Sequence, residues 1–203
     1  EPGSLRGLKL YNYANDAANP AMSTSTPTVY NGRAYVGVSG VGQFKAYSGH
    51  NITVIDLTSW RIAYTVRTQG YPQTSGLMTT GYDDGVYVYF MDNYTPGVMR
   101  VIHDAPGQTA LEGGVTEEFT SDKGVSGTYT DCAPVVFTPR GSLAQYCIGS
   151  PVTDEYGTLY FKNDSGNLIA LTSAVRELKV AEKPEIARTE DGQWEVTGGK
   201  IVA

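Results

Sequence analysis

Apolar and polar residues alternate with a period of two along most of this 203-residue chain, in short runs separated by Gly, Asn, Asp and Ser. That period puts successive side chains on opposite faces, so the pattern predicts strands. The clearest stretch is 150–172. There Ser150, Pro151, Val152 and Thr153 give a short strand, Asp154 to Gly157 a hairpin turn, and residues 158–162 a second strand. Asn163, Asp164, Ser165 and Gly166 make another polar turn. Leu168, Ile169, Ala170 and Leu171 then read as a third strand buried on both faces. Upstream, the same alternation predicts strands at 27–30, 34–39, 52–57 and 62–67, then 77–80, 86–91, 98–103 and 116–119, then 134–137. A lone strand is expected at 5–13. Residues 124–130 read as an exposed loop, 174–180 as an outer strand or a short helix, and 193–196 as a strand in an otherwise polar C-terminal stretch.

The module recurs. Gly32, Gly85 and Gly157 close turns, and Tyr35, Tyr87 and Tyr160 follow them in the next strand. The second interval exceeds one unit of roughly 40–50 residues, which predicts an insertion between Asp104 and Tyr146. Val54, Asp56, Ser59, Trp60 and Tyr64 follow in register the blade motif Ala-x-Asp-x-x-Thr-Gly-x-x-x-Trp of quinoprotein-like propellers. Ser59 stands for Thr, Trp60 for the turn glycine and Tyr64 for the docking tryptophan. The stretch from Gln145 and Cys147 through Gly157 to Gly166 resembles the closing blades of propellers on large surface proteins of Gram-positive bacteria. The resemblance covers roughly residues 25–172. It implies an all-β fold of about three four-stranded propeller blades, part of a larger or shared ring, with Tyr64 docked on a neighbouring blade. The expected organisation is 1–24 as a strand and linker from a preceding or closing blade, 25–180 as blades, and 181–203 as a linker or the edge of a further domain. A homodimer or upstream blades would complete the ring. The resemblance implies scaffold and not redox activity, since a quinoprotein dehydrogenase needs a full ring around its cofactor.

Composition narrows the class. Tyr occurs 15 times against Phe 5 and Trp 2, and Gly 24 times, which suits strands buried at the ring and wet at the hydroxyl, joined by tight turns. The net charge of −6, without a Lys/Arg cluster, argues against nucleic acid. No apolar run approaches the ~18 residues of a membrane span, so no membrane insertion is expected. The start, Glu1, is neither methionine nor signal peptide, and the chain is expected to begin inside a larger protein or after processing. Cys132 and Cys147 leave two readings open: a disulfide closing a loop of about 15 residues, worth ~3 kcal/mol, or two free buried thiols.

Candidate chemistry is sparse. Gly37, Ser39 and Gly40 lack the spacing of a nucleophile elbow, and no Cys/His ligand cluster occurs. His50 and His103 read as ordinary surface or inter-blade residues. Asp83 and Asp84, Asp154 and Glu155, and Asn163 and Asp164 all fall in turns, where Asx hydrogen bonds account for them. Phe44 and Tyr47 sit in a long loop and read as packing over a blade edge, with ligand contact the alternative. No catalytic, cofactor-binding or metal-ligating residue is expected, and no cofactor. The function expected is a non-catalytic module of a bacterial cell-surface or secreted protein, extracellular, binding glycans or protein partners. An architectural spacer is the alternative, and an enzyme domain with an unrecognised pocket the third.

Overall fold

The computed structural model describes residues 5–11, 21–42, 45–80, 83–120 and 126–172, and four further strands between 179 and 202 by their backbone. The chain divides into a unit through Ala170 and a smaller unit from Leu171. In the larger unit β1 (Thr28–Tyr30), β2 (Arg33–Val38), β3 (Asn51–Asp56) and β4 (Arg61–Arg67) form an antiparallel meander. After β5 (Leu77–Thr79), β6 (Val86–Met91) and β7 (Met99–Asp104), the chain forms the hairpin β8 (Val115–Thr120) and β9 (Ser126–Cys132). That hairpin returns to the first sheet, β9 lying parallel to β4 where Arg67 faces Cys132, so the first sheet has six strands. The second sheet runs β10-β7-β6-β5, with β10 at Val135–Phe137. A third, of three strands, holds β11 (Val152–Thr153), β12 (Leu159–Lys162) and β13 (Leu168–Leu171). In the smaller unit β14 (Lys179–Glu182) pairs with β17 (Lys200–Val202), and β15 (Glu185–Arg188) with β16 (Trp194–Thr197).

The all-β expectation holds, and the propeller does not. The sheets are separate and open, with six, four and three strands, and none closes into a ring of four-stranded blades. Two misreadings produced the difference. Residues 126–130, read as part of a loop, belong to β9, which widens the first sheet beyond a blade. The outer strand or short helix expected at 174–180 lies outside the described residues up to 178, and its last two residues belong to β14, which is paired with β17. In two of the three copies the recurring glycine and tyrosine have a local cause, whereas the Tyr35 hydroxyl of the first copy reaches across to Asp104. Asp83 accepts from the Tyr87 hydroxyl at 3.0 Å and Asp154 from the Tyr160 hydroxyl at 2.9 Å, so each pair braces its own hairpin and carries no information about closure. Leu168 to Leu171 alternate rather than bury both faces: Ile169 is buried while Leu168 is 73% exposed. Residues 5–10 form no strand, although Leu8 and Leu10 pack on Ala34, Val36, Val38 and Ile55.

The main core lies between the first and second sheets. Tyr35, Ile52, Val54, Tyr64 and Val66 face Val86, Val88, Phe90 and Ile102. Because β2 is covered on its other face too, all six of its residues are buried. Gly37 is required there: a Cβ would fall 1.7 Å from the Pro72 carbonyl oxygen. Among the described residues no helix is long and apolar enough to cross a membrane. Both cysteines are free and buried, which decides between the two readings, and burial pushes each thiol up to about 11. Such thiols are poor nucleophiles.

Arg100, 1% exposed, ties the two sheets together. Its Nε donates to Asp92 at 2.8 Å, its Nη1 and Nη2 to Glu117 of β8 at 2.8 and 3.1 Å, and its Nη1 also to the Ala133 carbonyl. Burial alone would favour the neutral guanidine, but the two carboxylates outweigh it and hold the group charged. Around it Tyr47 stacks on Phe119 at 5.0 Å, and the Arg67 guanidinium lies 4.5 Å from the Tyr129 ring. Tyr47 thus packs on β8 and β9; Phe44 lies outside the described residues. Removing one member of a buried ion cluster strands the others, so Arg100→Met is expected to cost about 3–5 kcal/mol in urea unfolding. A loss under about 1 kcal/mol would show that the clamp is incidental.

His50 is not a surface residue. It is fully buried against Tyr71, its Nδ1 accepting from the Gly40 N–H and its Nε2 facing the Lys45 carbonyl, each at 2.8 Å. The Gly40 contact fixes the neutral tautomer protonated at Nε2. Burial lowers its pKa to about 4, from 6.5 when unfolded. The unfolded chain therefore binds the extra proton first as pH falls, and the stability His50 contributes is complete above about pH 6.5 and lost towards pH 4. Between these limits the wild type is expected to lose about 3 kcal/mol more than His50→Gln. Parallel acid limbs for the two proteins in urea unfolding would contradict this.

Candidate functional site

The inward rows of four strands end in polar groups at one end of the two-sheet core. On β7 the row is Arg100, Ile102 and Asp104; on β3 it is Ile52, Val54 and Asp56; on β2 it is Arg33, Tyr35 and Gly37. β6 begins its row with Val86, just after the turn that carries Asp84. The turn between β1 and β2 supplies Tyr30, Asn31 and Gly32. Asn31 at φ 44° and Gly32 at φ 76° give the left-handed pair that a two-residue hairpin needs. That turn, the row ends Arg33, Tyr35, Asp56 and Asp104, and Asp84 and Val86, with Thr58 and the turn at 105–107, line a cleft of about 260 Å³.

Asp104 forms its inner wall. Its two carboxylate oxygens accept from the hydroxyls of Tyr35 at 2.7 Å and Tyr64 at 2.6 Å, and Arg33 Nε lies 4.0 Å away. Burial, then the hydrogen bond to Asp104, raises the pKa of both tyrosines, so they remain neutral donors. Tyr64 is therefore buried against the neighbouring sheet, with its ring in the core and its hydroxyl on the cleft carboxylate. Arg33 is 8% exposed and donates from Nη2 to the Gln108 carbonyl at 2.9 Å, yet its Nη1 is buried without an acceptor. Gln108 also holds the adjoining turn: its side chain accepts from the Ala105 N–H and donates to the carbonyls of His103 and Ala110.

The rim is more open. Asp56 accepts from the Ser59 N–H at 2.7 Å and the Ser59 hydroxyl at 2.9 Å, contacts that lower its pKa. Trp60, at φ 56°, occupies the left-handed position that a turn glycine would take. Tyr30, 47% exposed, flanks the opening. Chemically the cleft offers carboxylate acceptors, one unfilled guanidinium donor and an aromatic face. That set can orient a small polar ligand by hydrogen bonds.

Of the turn carboxylates singled out in the sequence, only Asp84 reaches this cleft. Asp83 accepts from the Gly85 N–H at 2.8 Å and lies 3.2 Å from His103, itself stacked on Tyr87. Asp154 accepts from the N–H groups of Tyr156 and Thr158, and Asn163 from that of Ser165, as Asx turns do. Arg33, Tyr35, Asp56 and Asp104 were not anticipated as a site. The available signal was a charge at the end of each alternating apolar row. Among the described residues no three His, Cys, Asp or Glu side chains are placed to hold a metal ion. A second depression, about 440 Å³, runs along Val135, Val136, Phe137, Thr138, Arg140 and Leu143; its charged group is Arg140. Although larger, it brings no buried polar group to a ligand, so the Arg33 cleft is the better candidate. No family model and no curated protein matches this chain.

Proposed function

We propose that this chain is a non-catalytic binding domain of a secreted or cell-surface protein and that its ligand is a carbohydrate seated in the Arg33 cleft. One observation carries the reading: a guanidinium with a nitrogen without an acceptor at a cleft that also holds three carboxylates, beside an exposed tyrosine. Sugars present hydroxyls that both donate and accept, and an apolar ring face that suits an aromatic side chain. The carboxylates of Asp56, Asp84 and Asp104 can take hydroxyl protons, Arg33 can donate to a hydroxyl oxygen, and Tyr30 can carry the ring. The volume lies just below the ~300–1,000 Å³ of pockets for drug-sized ligands, which favours one sugar residue or a chain end. An extracellular location accords with such a ligand.

A protein partner is the second reading. It is favoured by the sheet-edge strand β10, whose Val135 and Val136 are 39% and 48% exposed. Arrayed glycans, followed by calorimetry on the selected sugar, test the first. Tyr30→Ala, on the surface, is expected to weaken binding about tenfold, or ~1.4 kcal/mol, without moving the unfolding midpoint. A blank array would end the carbohydrate reading and leave the β10 edge as the surface to explain.

A further inference from the structure

We propose that the cleft selects uncharged sugars over their acidic counterparts, and that Asp84 sets this specificity. The inference rests on the carbohydrate reading above and names the class of sugar.

Three carboxylates from three different elements line the cleft, Asp56 after β3's apolar row, Asp84 before β6 and Asp104 at the end of β7, against the single guanidinium of Arg33. That guanidinium is already engaged as a charge. Asp104 lies 4.0 Å from its Nε and the Gln108 carbonyl accepts from its Nη2. Its Nη1 is buried without an acceptor, so the balance at the cleft, three carboxylates against this one guanidinium, stays negative. An acidic sugar would thus bring a negative charge among three others with no free cation to meet it, and like charges brought together in a partly desolvated site repel. A neutral sugar meets acceptors for its hydroxyl protons at the same atoms.

Asp84 is singled out because the turn does not need it. Its neighbour Asp83 takes both the Gly85 N–H and the Tyr87 hydroxyl, whereas Asp84, exposed at the mouth, makes no hydrogen bond among the described residues. Asp56 is committed to Ser59, and Asp104 to the two tyrosines. Asp84 can therefore be neutralised without disturbing the fold.

The test is a panel of matched methyl glycosides and the corresponding methyl uronides, which differ by oxidation of one hydroxymethyl group to a carboxylate, titrated into the full chain at low salt. The wild type is expected to bind the neutral member of the preferred pair at least tenfold more tightly. Asp84→Asn, whose amide oxygen still accepts from a hydroxyl, should leave the unfolding midpoint unchanged and reduce the ratio to about threefold or less. Equal or tighter uronide binding by the wild type overturns the inference while the carbohydrate reading stands, and so does an unchanged ratio in Asp84→Asn. Failure of every sugar in the panel and on the array overturns both.

Discussion

A guanidinium buried between two sheets allows few arrangements of the chain around it. Arg100 is the second residue of β7, facing an otherwise apolar core, and is tolerable there because Asp92, just after β6, reaches it from one side and Glu117 of β8 from the other. Glu117 can reach it when the β8–β9 hairpin lies beside β4. The polar hairpin is therefore drawn into the first sheet, and its six strands follow from one charge that needs a counter-charge. Tyr47, Phe119, Tyr129 and Arg67 then close over the contact and keep water from it. The Tyr129 hydroxyl, which donates to the Tyr47 carbonyl, fastens the long loop to the same hairpin.

The same strand positions the candidate site. Four residues beyond Arg100, on the same face and roughly 13 Å along the strand, is Asp104. Ile102 and its neighbours fill the space between. The sheets are thus held by an ion cluster at one end of the core and by the Asp104–Tyr35–Tyr64 contacts at the other, with apolar packing in the middle. At the first end every donor nitrogen of Arg100 has a partner, although Asp92 Oδ1 is buried without one. At the second, Arg33 Nη1 is buried without an acceptor, and the group lines a cleft. The cleft, and not an unfilled polar atom alone, separates the two ends.

Individual strands were legible because their cause is local. The alternation in Val86 to Met91 and the apolar run of Leu168 to Leu171 between polar turns gave their bounds, and the turn chemistry of Asn31, Asp83, Asp154 and Asn163 gave the hairpins. β9 was missed because its sequence, with Gly127 and alternating polar residues, looks like a loop; it forms a strand through Cys132 beside Arg67 and Tyr129 beneath the same guanidinium. Closure into a ring was misread because in two of its three copies the glycine–tyrosine recurrence reports a hairpin brace, Asp83 to Tyr87 and Asp154 to Tyr160, which any open sheet can use. The cleft was invisible for a related reason. Arg33, Asp56 and Asp104 are far apart in sequence, and only the facing of their rows makes them neighbours.

The central claim is that the cleft at the Asp104 end of the core binds ligand while the Arg100 end holds the fold. Amide chemical-shift mapping during titration with the sugar selected from an array addresses it most directly. The account predicts shifts gathered at Tyr30, Asn31, Gly32, Arg33, Thr58, Asp84 and the turn at 105–107, with Arg100 and its surroundings unmoved. Shifts confined to Val135, Val136, Arg140 and Leu143, with the cleft silent, would contradict it.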